Sequence, residues 1–542
     1  MPVVRVDVND LSRIAKTDLD AERVSQILPV LKGEVEKVEG DEIEYEASHD
    51  RADLFSAEGL GRAIGIFLGS RGNPKYKVVD SEYVLDLSKA PSYRPYAMLA
   101  IVRNLELDNE AIRQVFQLQE KLAISYGVHR KLVSVGLYDL KYIKGKVIRY
   151  QTLPQGKYVP LDYEVEMTFE EVLEKTEKGR TYGHLIKKGE YPVLADEENV
   201  LSLVPILNAN YNKVTENTRD VLIDVTGTEP YLMARVLDVM VTSLIERSND
   251  PVIERVKAVR GNEVLFETPE LPIKEIELTM KTVREFVEVN IDLEKAKDLL
   301  NKMGLEAKVV EGKVKVSVPP YRIDVHGEVD LIEDLISAYG YNELETLRDS
   351  VVDYGELTPM TKLVRFVSDK LVSLGLVEVF NFSLTSSELL ELLGENNFVK
   401  IVNPRMKSYD SVRTSLVPSL LLTALENQKS HSKFKAFEVG DVLVNEGYTR
   451  REKRLGILLY GDFTLTDAIS HLNALFEELG LKAKYVEREI PYFIPERSAK
   501  VVIGNIEVGS VGEVNPQILV SLGVKAPVTI AEISLDKILE LF

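Results

Sequence analysis

The chain has no cysteine and no tryptophan. Without thiols there is no disulfide, no thiolate zinc site, no iron–sulfur cluster and no cysteine nucleophile. Histidine is nearly as sparse. Six residues, at 49, 129, 184, 326, 431 and 471, stand too far apart in sequence for an HExxH or similar metal motif. No run approaches the roughly 18 apolar residues of a membrane helix. Asp7 and Asp10 occupy the stretch where a signal peptide would be apolar. The expected setting is therefore the cytoplasm, with no membrane partner. Positive charge is in deficit: 67 Lys+Arg against 87 Asp+Glu leaves −20. That excludes a general nucleic-acid coat, though not a locally basic surface or a basic partner.

What is present divides into blocks. At roughly 150 residues per domain, 542 residues predict three or four domains. Residues 3–8 alternate apolar and polar and read as a strand. Helices near 9–16 and 19–31, a hairpin over 34–47 turning at Gly40-Asp41, and a helix over 52–68 follow. Together they make a small N-terminal α/β domain, 1–75. Residues 82–266 mix strands near 97–105, 132–137 and 200–207 with helices near 108–124 and 230–247. This mixed α/β domain lacks the Gly-rich turn of a nucleotide fold. Residues 270–346 carry a helix from about 293 that ends at Gly304. Strands Glu306–Val310 and Lys313–Val318 and a helix stopping at Gly340 complete a small winged-helix-like module. In the last domain, 353–542, Thr358-Pro359 caps a helix reaching Gly375. Strands at 376–384, 435–444, 455–461, 499–514 and 528–533 dominate it, broken by helices at 415–428 and 464–479. It reads as a large antiparallel domain, and the whole chain as an α+β multidomain protein.

Two groups could carry chemistry. Asp324, Asp330, Glu333 and Asp334 cluster around the start of the last helix of the small module. At about 100° per residue, with Asp330 at zero, Glu333 falls near ~300° and Asp334 near ~40°, opposite Leu331, Ile332, Leu335 and Ile336. Such oxygens suit a hard cation, Mg²⁺ or Ca²⁺. Acids in a first helical turn also complement its dipole and face water. The second group is Asp224 and Thr226. Alternation puts them on one strand face, with Val221, Ile223 and Val225 on the other, and Asn208 closes a preceding segment. That face lines a pocket or meets solvent. The strongest basic run, Arg450, Arg451, Lys453 and Arg454, is a solvated loop or an RNA contact.

Four blocks then recur in a characteristic order. The first is Ser48-His49-Asp50-Arg51-Ala52-Asp53-Leu54-Phe55-Ser56-Ala57-Glu58-Gly59-Leu60. The second is Val318-Pro319-Pro320-Tyr321-Arg322-Ile323-Asp324, followed by Asp330-Leu331-Ile332-Glu333-Asp334 and Tyr339-Gly340-Tyr341. The third combines Asn403-Pro404, Arg413-Thr414-Ser415-Leu416 and Phe437-Glu438-Val439-Gly440. The fourth is Arg497-Ser498-Ala499 with Gly509-Ser510-Val511-Gly512-Glu513-Val514-Asn515-Pro516. In this order they resemble the beta-subunit family of phenylalanyl-tRNA synthetase, in its shorter archaeal/eukaryotic form. Asp50 and Ala52 depart from the family's Asn and Pro in the first block.

The resemblance implies a division of labour. A separate alpha subunit performs class II, ATP-dependent charging of tRNA(Phe), and the two subunits assemble as an alpha2-beta2 heterotetramer. The last domain of this chain resembles a class II catalytic domain that has lost its site. Ala436 stands where the ATP-binding strand needs an Arg before Glu438, and no Arg follows Gly512. The resemblance further implies Mg²⁺ at Asp324, Asp330, Glu333 and Asp334, held alone or shared with the alpha subunit. Residues 82–266 resemble the family's editing domain, and Asn208, Asp224 and Thr226 fall in its pocket strands. A phenylalanine pocket cannot strongly reject an isostere that adds a hydroxyl, so a second site hydrolysing Tyr-tRNA(Phe) raises fidelity. The alternative is a scaffold subunit whose editing site has decayed, serving only assembly and tRNA docking.

Overall fold

The computed structural model describes residues 2–287, 289, 291–344, 354–445 and 447–542. The domain boundary expected between 346 and 353 lies outside the described residues. The chain divides into two units, 1–347 and 348–542. It is a mixed α/β multidomain protein with several sheets.

The opening alternation becomes strand Val3–Asp7, with Val4 and Val6 buried. It pairs antiparallel with Glu42–Ala47, which pairs with Gly33–Glu39 across the Gly40 turn. Helix Val8–Ala15 starts where the Asp7 carboxylate accepts the Asp10 N–H at 2.9 Å. The helix expected over 19–31 is only Ala21–Ile27, because Pro29 has no N–H to continue the ladder. Helix Ala57–Phe67 packs this layer against the next domain.

A ten-stranded sheet forms the second domain. Its strands run, side by side, Leu207–Asn208, Val200–Leu203, Tyr191–Ala195, Val147–Leu153, Val78–Lys89, Val252–Arg260, Tyr96–Arg103, Val221–Gly227 and Val133–Asp139, with Glu263–Thr268 added to Val252–Arg260. Helices Asn109–Ile124 and Pro230–Leu244 cover one face, burying Val115, Leu118, Val236 and Met240 on Val221, Ile223 and Val225. The other face is also filled, by Leu85, Leu99, Ile101, Tyr138, Tyr150, Leu201 and Leu222. The sheet curls until its two edges touch. Asn208 Nδ2 donates to the Leu137 carbonyl at 3.1 Å, and the Tyr138 hydroxyl lies 2.9 Å from Ser202 Oγ.

In the small module, Lys274–Leu278 joins Lys313–Val318 and Glu306–Val310 as a three-stranded sheet. Helices Met280–Val287, Leu293–Lys302 and Glu328–Tyr339 close its core. Buried and half-buried ion pairs tie the unit together. Arg247 binds Asp10 with two hydrogen bonds, at 2.7 and 2.8 Å, and Glu58 at 2.6 Å. The Arg62 guanidinium lies 3.8 Å over the Tyr321 ring. Lys32 bridges Asp50 and Glu333 at 2.9 and 3.0 Å.

The second unit is built on a seven-stranded sheet in the order Val377–Glu378, Phe434–Asn445, Thr449–Tyr460, Val528–Ser534, Ile506–Val514, Phe493–Ile503 and Ala483–Glu487. Every pair is antiparallel except the first. Strand Thr449–Tyr460 serves two cores: Leu455, Ile457 and Leu459 face one, Leu458 and Tyr460 the other. Helices Pro359–Ser373 and Leu465–Glu478 cover the first face and Val417–Asn427 the second. The strand expected over 376–384 is reduced to Val377–Glu378 and Leu384–Thr385. Phe380 and Phe382 between them are 89% and 71% exposed. The apolar pattern there is surface rather than core.

Candidate functional site

The second domain contains a cavity of about 170 Å³ lined by Ser134, Gly136, Tyr138, Ser202 and Asp224, with Asn208 on its wall. Strand pairing brings these residues together. Asp224 sits opposite Gly136, and Thr226 opposite Ser134. Both Asp224 and Thr226 are buried, on the face that carries Leu222, because this strand is covered on both sides. The Asp224 Oδ1 accepts a 2.6 Å hydrogen bond from Tyr138. A Cβ at position 136 would lie 2.0 Å from that oxygen, so only glycine leaves room for the carboxylate.

Thr226 does not line the cavity. It supports Ser134, Oγ to Oγ 2.8 Å, and Arg94 ties both down, donating to Ser134 Oγ at 2.9 Å and to the Thr226 carbonyl at 2.6 Å. Asn208 does line it, with its Nδ2 donating to the Leu137 carbonyl. Burial pushes the Asp224 carboxyl up to about 6, against the opposing pull of the Tyr138 hydrogen bond and the Arg94 charge. A carboxylate that titrates close to neutrality inside a polar cavity is a functional-site signature. Around the wall, Glu120 holds Arg130 at 3.0 Å and Lys178 at 3.1 Å. The carboxylate, hydroxyls and cations thus converge on one space without a thiol. They can receive a polar ligand and orient water at an ester.

Sequence reasoning on Asp224 missed Tyr138, Ser134, Gly136, Ser202 and Arg94. The signal for three of them is in Val133–Asp139, where Ser134, Gly136 and Tyr138 alternate with Val133, Val135 and Leu137. Arg94 and Ser202 carry no comparable pattern.

The four acids of the small module are placed differently from the helical-wheel expectation. Asp334 is not on a solvent face with Asp330 and Glu333: it is fully buried, 2.6 Å from Arg322. Arg322 also binds both oxygens of Asp324. Burial would raise Asp324, but the Arg322 guanidinium outweighs it and holds the carboxyl at about 2. Burial pushes Asp334 up, since it shares the same cation through a single oxygen. Asp330 caps its own helix, accepting the N–H groups of His326 and Gly327 at 2.7 and 2.8 Å. Glu333 pairs with Lys32. Among the described residues no group of three or more acidic or histidine side chains is arranged for a metal ion. The wheel could not see Arg322, which takes the place a cation would need. These residues do not fit Mg²⁺ in this arrangement.

In the second unit, Glu438 is fully buried and paired with Arg413 at 2.7 Å, with Asn381 Nδ2 at 2.9 Å. It is a structural carboxylate. Arg454, from the basic run, is tied to Glu452 and Glu532 at 3.2 and 2.7 Å. Arg451 and Lys453 both reach Asp441 at 2.8 Å.

Family models match three stretches: a B3/4 domain over residues 92–248, a tRNA synthetase B5 domain over 276–341, and a phenylalanyl tRNA synthetase beta chain CLM domain over 345–535. The phenylalanine–tRNA ligase beta subunit of Thermofilum pendens is 38% identical, over 100% of this chain and 99% of its own. That of Saccharolobus solfataricus is 34% identical, over 99% of each. The solved N-terminal fragment of the phenylalanyl-tRNA synthetase beta-subunit from Pyrococcus horikoshii is 38% identical, with a TM-score of 0.58, over 63% of this chain and all of the fragment. The chain belongs to the phenylalanine–tRNA ligase beta-subunit family. No helix among the described residues is long and apolar enough to cross a membrane.

Proposed function

We propose that this chain supports charging of tRNA(Phe) by an alpha subunit that carries the ATP-dependent aminoacylation site, and that its own second domain, 82–266, hydrolyses Tyr-tRNA(Phe). The observation that carries the editing reading is Asp224: a buried carboxylate facing a cavity, placed to accept a phenolic hydroxyl. Phenylalanine offers it no donor and desolvates the free oxygen without return. Hydrogen bonds to charged groups contribute about 1.5–3 kcal/mol, or roughly ten- to 150-fold between the two amino acids. The attacking water is oriented by the pocket hydroxyls and by the tRNA's terminal ribose, since no thiol exists in the chain.

The division of labour is supported by the second unit. Ala436 stands at the position the resemblance gives to a phosphate-binding Arg, and Glu438 is spent on Arg413. Val377, Phe380, Phe382, Leu384, Val402 and Met406 are all exposed on this unit. Exposed large apolar side chains mark an interaction site where they gather into a patch, here read as that for the alpha subunit of an alpha2-beta2 assembly in the cytoplasm. The winged-helix-like module, 270–346, and the class II-like domain, 353–542, serve as framework and docking surface. Mg²⁺ enters with ATP on the alpha subunit rather than at Asp324, Asp330, Glu333 and Asp334.

The test uses the purified chain with each aminoacyl-tRNA. It should deacylate Tyr-tRNA(Phe), spare Phe-tRNA(Phe), and charge nothing until an alpha subunit is added. Equal inertness towards both esters would favour a scaffold with a decayed site. Charging by the chain alone would sink the division of labour.

A further inference from the structure

Asp224 already receives a tyrosine hydroxyl, one that belongs to the protein. Tyr138 follows Gly136 by two residues, so both point into the same cavity. Because Gly136 has no side chain, the Tyr138 hydroxyl lies back over it. That hydroxyl is 2.7 Å from where a Cβ at 136 would be, 2.6 Å from Asp224 Oδ1 and 2.9 Å from Ser202 Oγ. Tyr138, Asp224 and Ser202 are all buried. The phenol has a single proton; once the 2.6 Å bond to the Asp224 carboxylate takes it, the Ser202 hydroxyl at 2.9 Å is left to donate to the phenol oxygen.

We propose that Tyr138 is a positioning residue for this pocket: its hydroxyl pins one oxygen of Asp224, keeps the carboxylate charged, and leaves the other oxygen to a phenolic ligand. This rests on the editing reading and names how that site selects its substrate. With phenylalanine bound, Asp224 is not left unpaired, because Tyr138 still holds it. The discrimination comes from the second oxygen alone.

The charged and titratable groups around Asp224 are Arg94, Tyr150, Tyr138, Glu120, Arg130 and Lys178. Tyr150 is turned away, donating to the Arg94 carbonyl at 3.0 Å. Burial would raise Glu120, but Arg130 and Lys178 outweigh it and hold it below its ordinary range. Of the two carboxyls that line the cavity, only Asp224 is raised, so an acid limb set by the cavity belongs to Asp224. Removing the Tyr138 hydroxyl takes away a group that favours the charged form.

The experiment is the pH dependence of kcat/KM for Tyr-tRNA(Phe) hydrolysis between pH 5 and 8, on the full chain, for wild type, Tyr138→Phe and Ser202→Ala. Tyr138→Phe should move the acid limb up by about one pH unit, a loss of roughly tenfold at pH 5.5 and under about threefold at pH 8. Ser202→Ala should move it in the same direction by less. A limb unmoved in Tyr138→Phe, in a chain with the wild-type unfolding midpoint, overturns the proposal while leaving the editing reading standing. If Tyr138→Phe does not fold, Ser202→Ala carries the test, and an unmoved limb there is equally fatal. Absence of deacylation by the wild-type chain removes both readings together.

Discussion

Asp224→Asn should make the protein more stable while abolishing its selectivity, and the size of that gain is fixed by the pocket. In the folded chain burial holds the Asp224 carboxyl at about 6, against 3.8 for an ordinary aspartate. The folded state therefore binds its proton more tightly than the unfolded state does. For an acid raised in this way, stability is intact below the unfolded value. It falls as the pH climbs towards 6 and stays reduced above it. At about 1.4 kcal/mol per tenfold, the gap corresponds to ~3 kcal/mol at pH 8, and about half of that at pH 5. Asparagine carries no charge at any pH. Its carbonyl oxygen still accepts from Tyr138, and its amide faces a polar cavity. Urea unfolding of the full chain, followed by circular dichroism at pH 5, 6.5 and 8, reads the difference from wild type. The variant's advantage should grow across this range. An advantage that does not change with pH would refute the reasoning, because then Asp224 bears no burial cost that its ionisation controls. A variant less stable than wild type at pH 8 would refute it more directly.

Other expectations follow from named contacts. Arg322→Met leaves Asp324 and Asp334 buried without their cation and should destabilise the first unit by about 3–5 kcal/mol in urea; Asp324→Asn with Asp334→Asn in the same chain should recover part of it. Gly136→Ala drives a methyl into the Asp224 carboxylate, and Tyr-tRNA(Phe) hydrolysis should fall about ten- to a hundredfold at a stability cost of about 1–3 kcal/mol in urea. EDTA should leave the thermal midpoint of the chain where it is, because Arg322, Lys32 and a helix cap occupy the four acids; a fall of more than about 2 °C would expose a bound cation. Phe380→Ser with Phe382→Ser should leave a folded chain that no longer co-elutes with the alpha subunit, and retained co-elution would move the docking surface elsewhere.

Local patterns carried far. The Gly40 turn, the Leu293–Lys302 helix and the strands on either side of Glu311-Gly312 were legible because each is set by neighbours in the chain. So was the Thr358 cap, whose hydroxyl accepts the Thr361 N–H at 3.2 Å. The alternation in Val221–Gly227 correctly grouped Asp224 with Thr226, although both lie inside rather than at a surface. What was not legible came from pairing across distance. Tyr138 and Asp224 meet only because two strands 86 residues apart lie in register. Arg322 reaches Asp334 across a turn that a helical wheel does not contain. Phe380 and Phe382 carry a strand's apolar signature, but among the described residues no sheet covers them.

The curled sheet joins at its edges through the side chains of Asn208, Ser202 and Tyr138, where other strand pairs have a backbone ladder. The pocket sits on that join: one wall belongs to each edge, and Asp224 is one strand inward. Its bore is therefore governed by a few side-chain fasteners rather than by the rigidity of the sheet. Heat would slacken this join sooner than it would melt the strands. On the proposed editing role, selection between the two esters should then fall on warming while the chain is still folded.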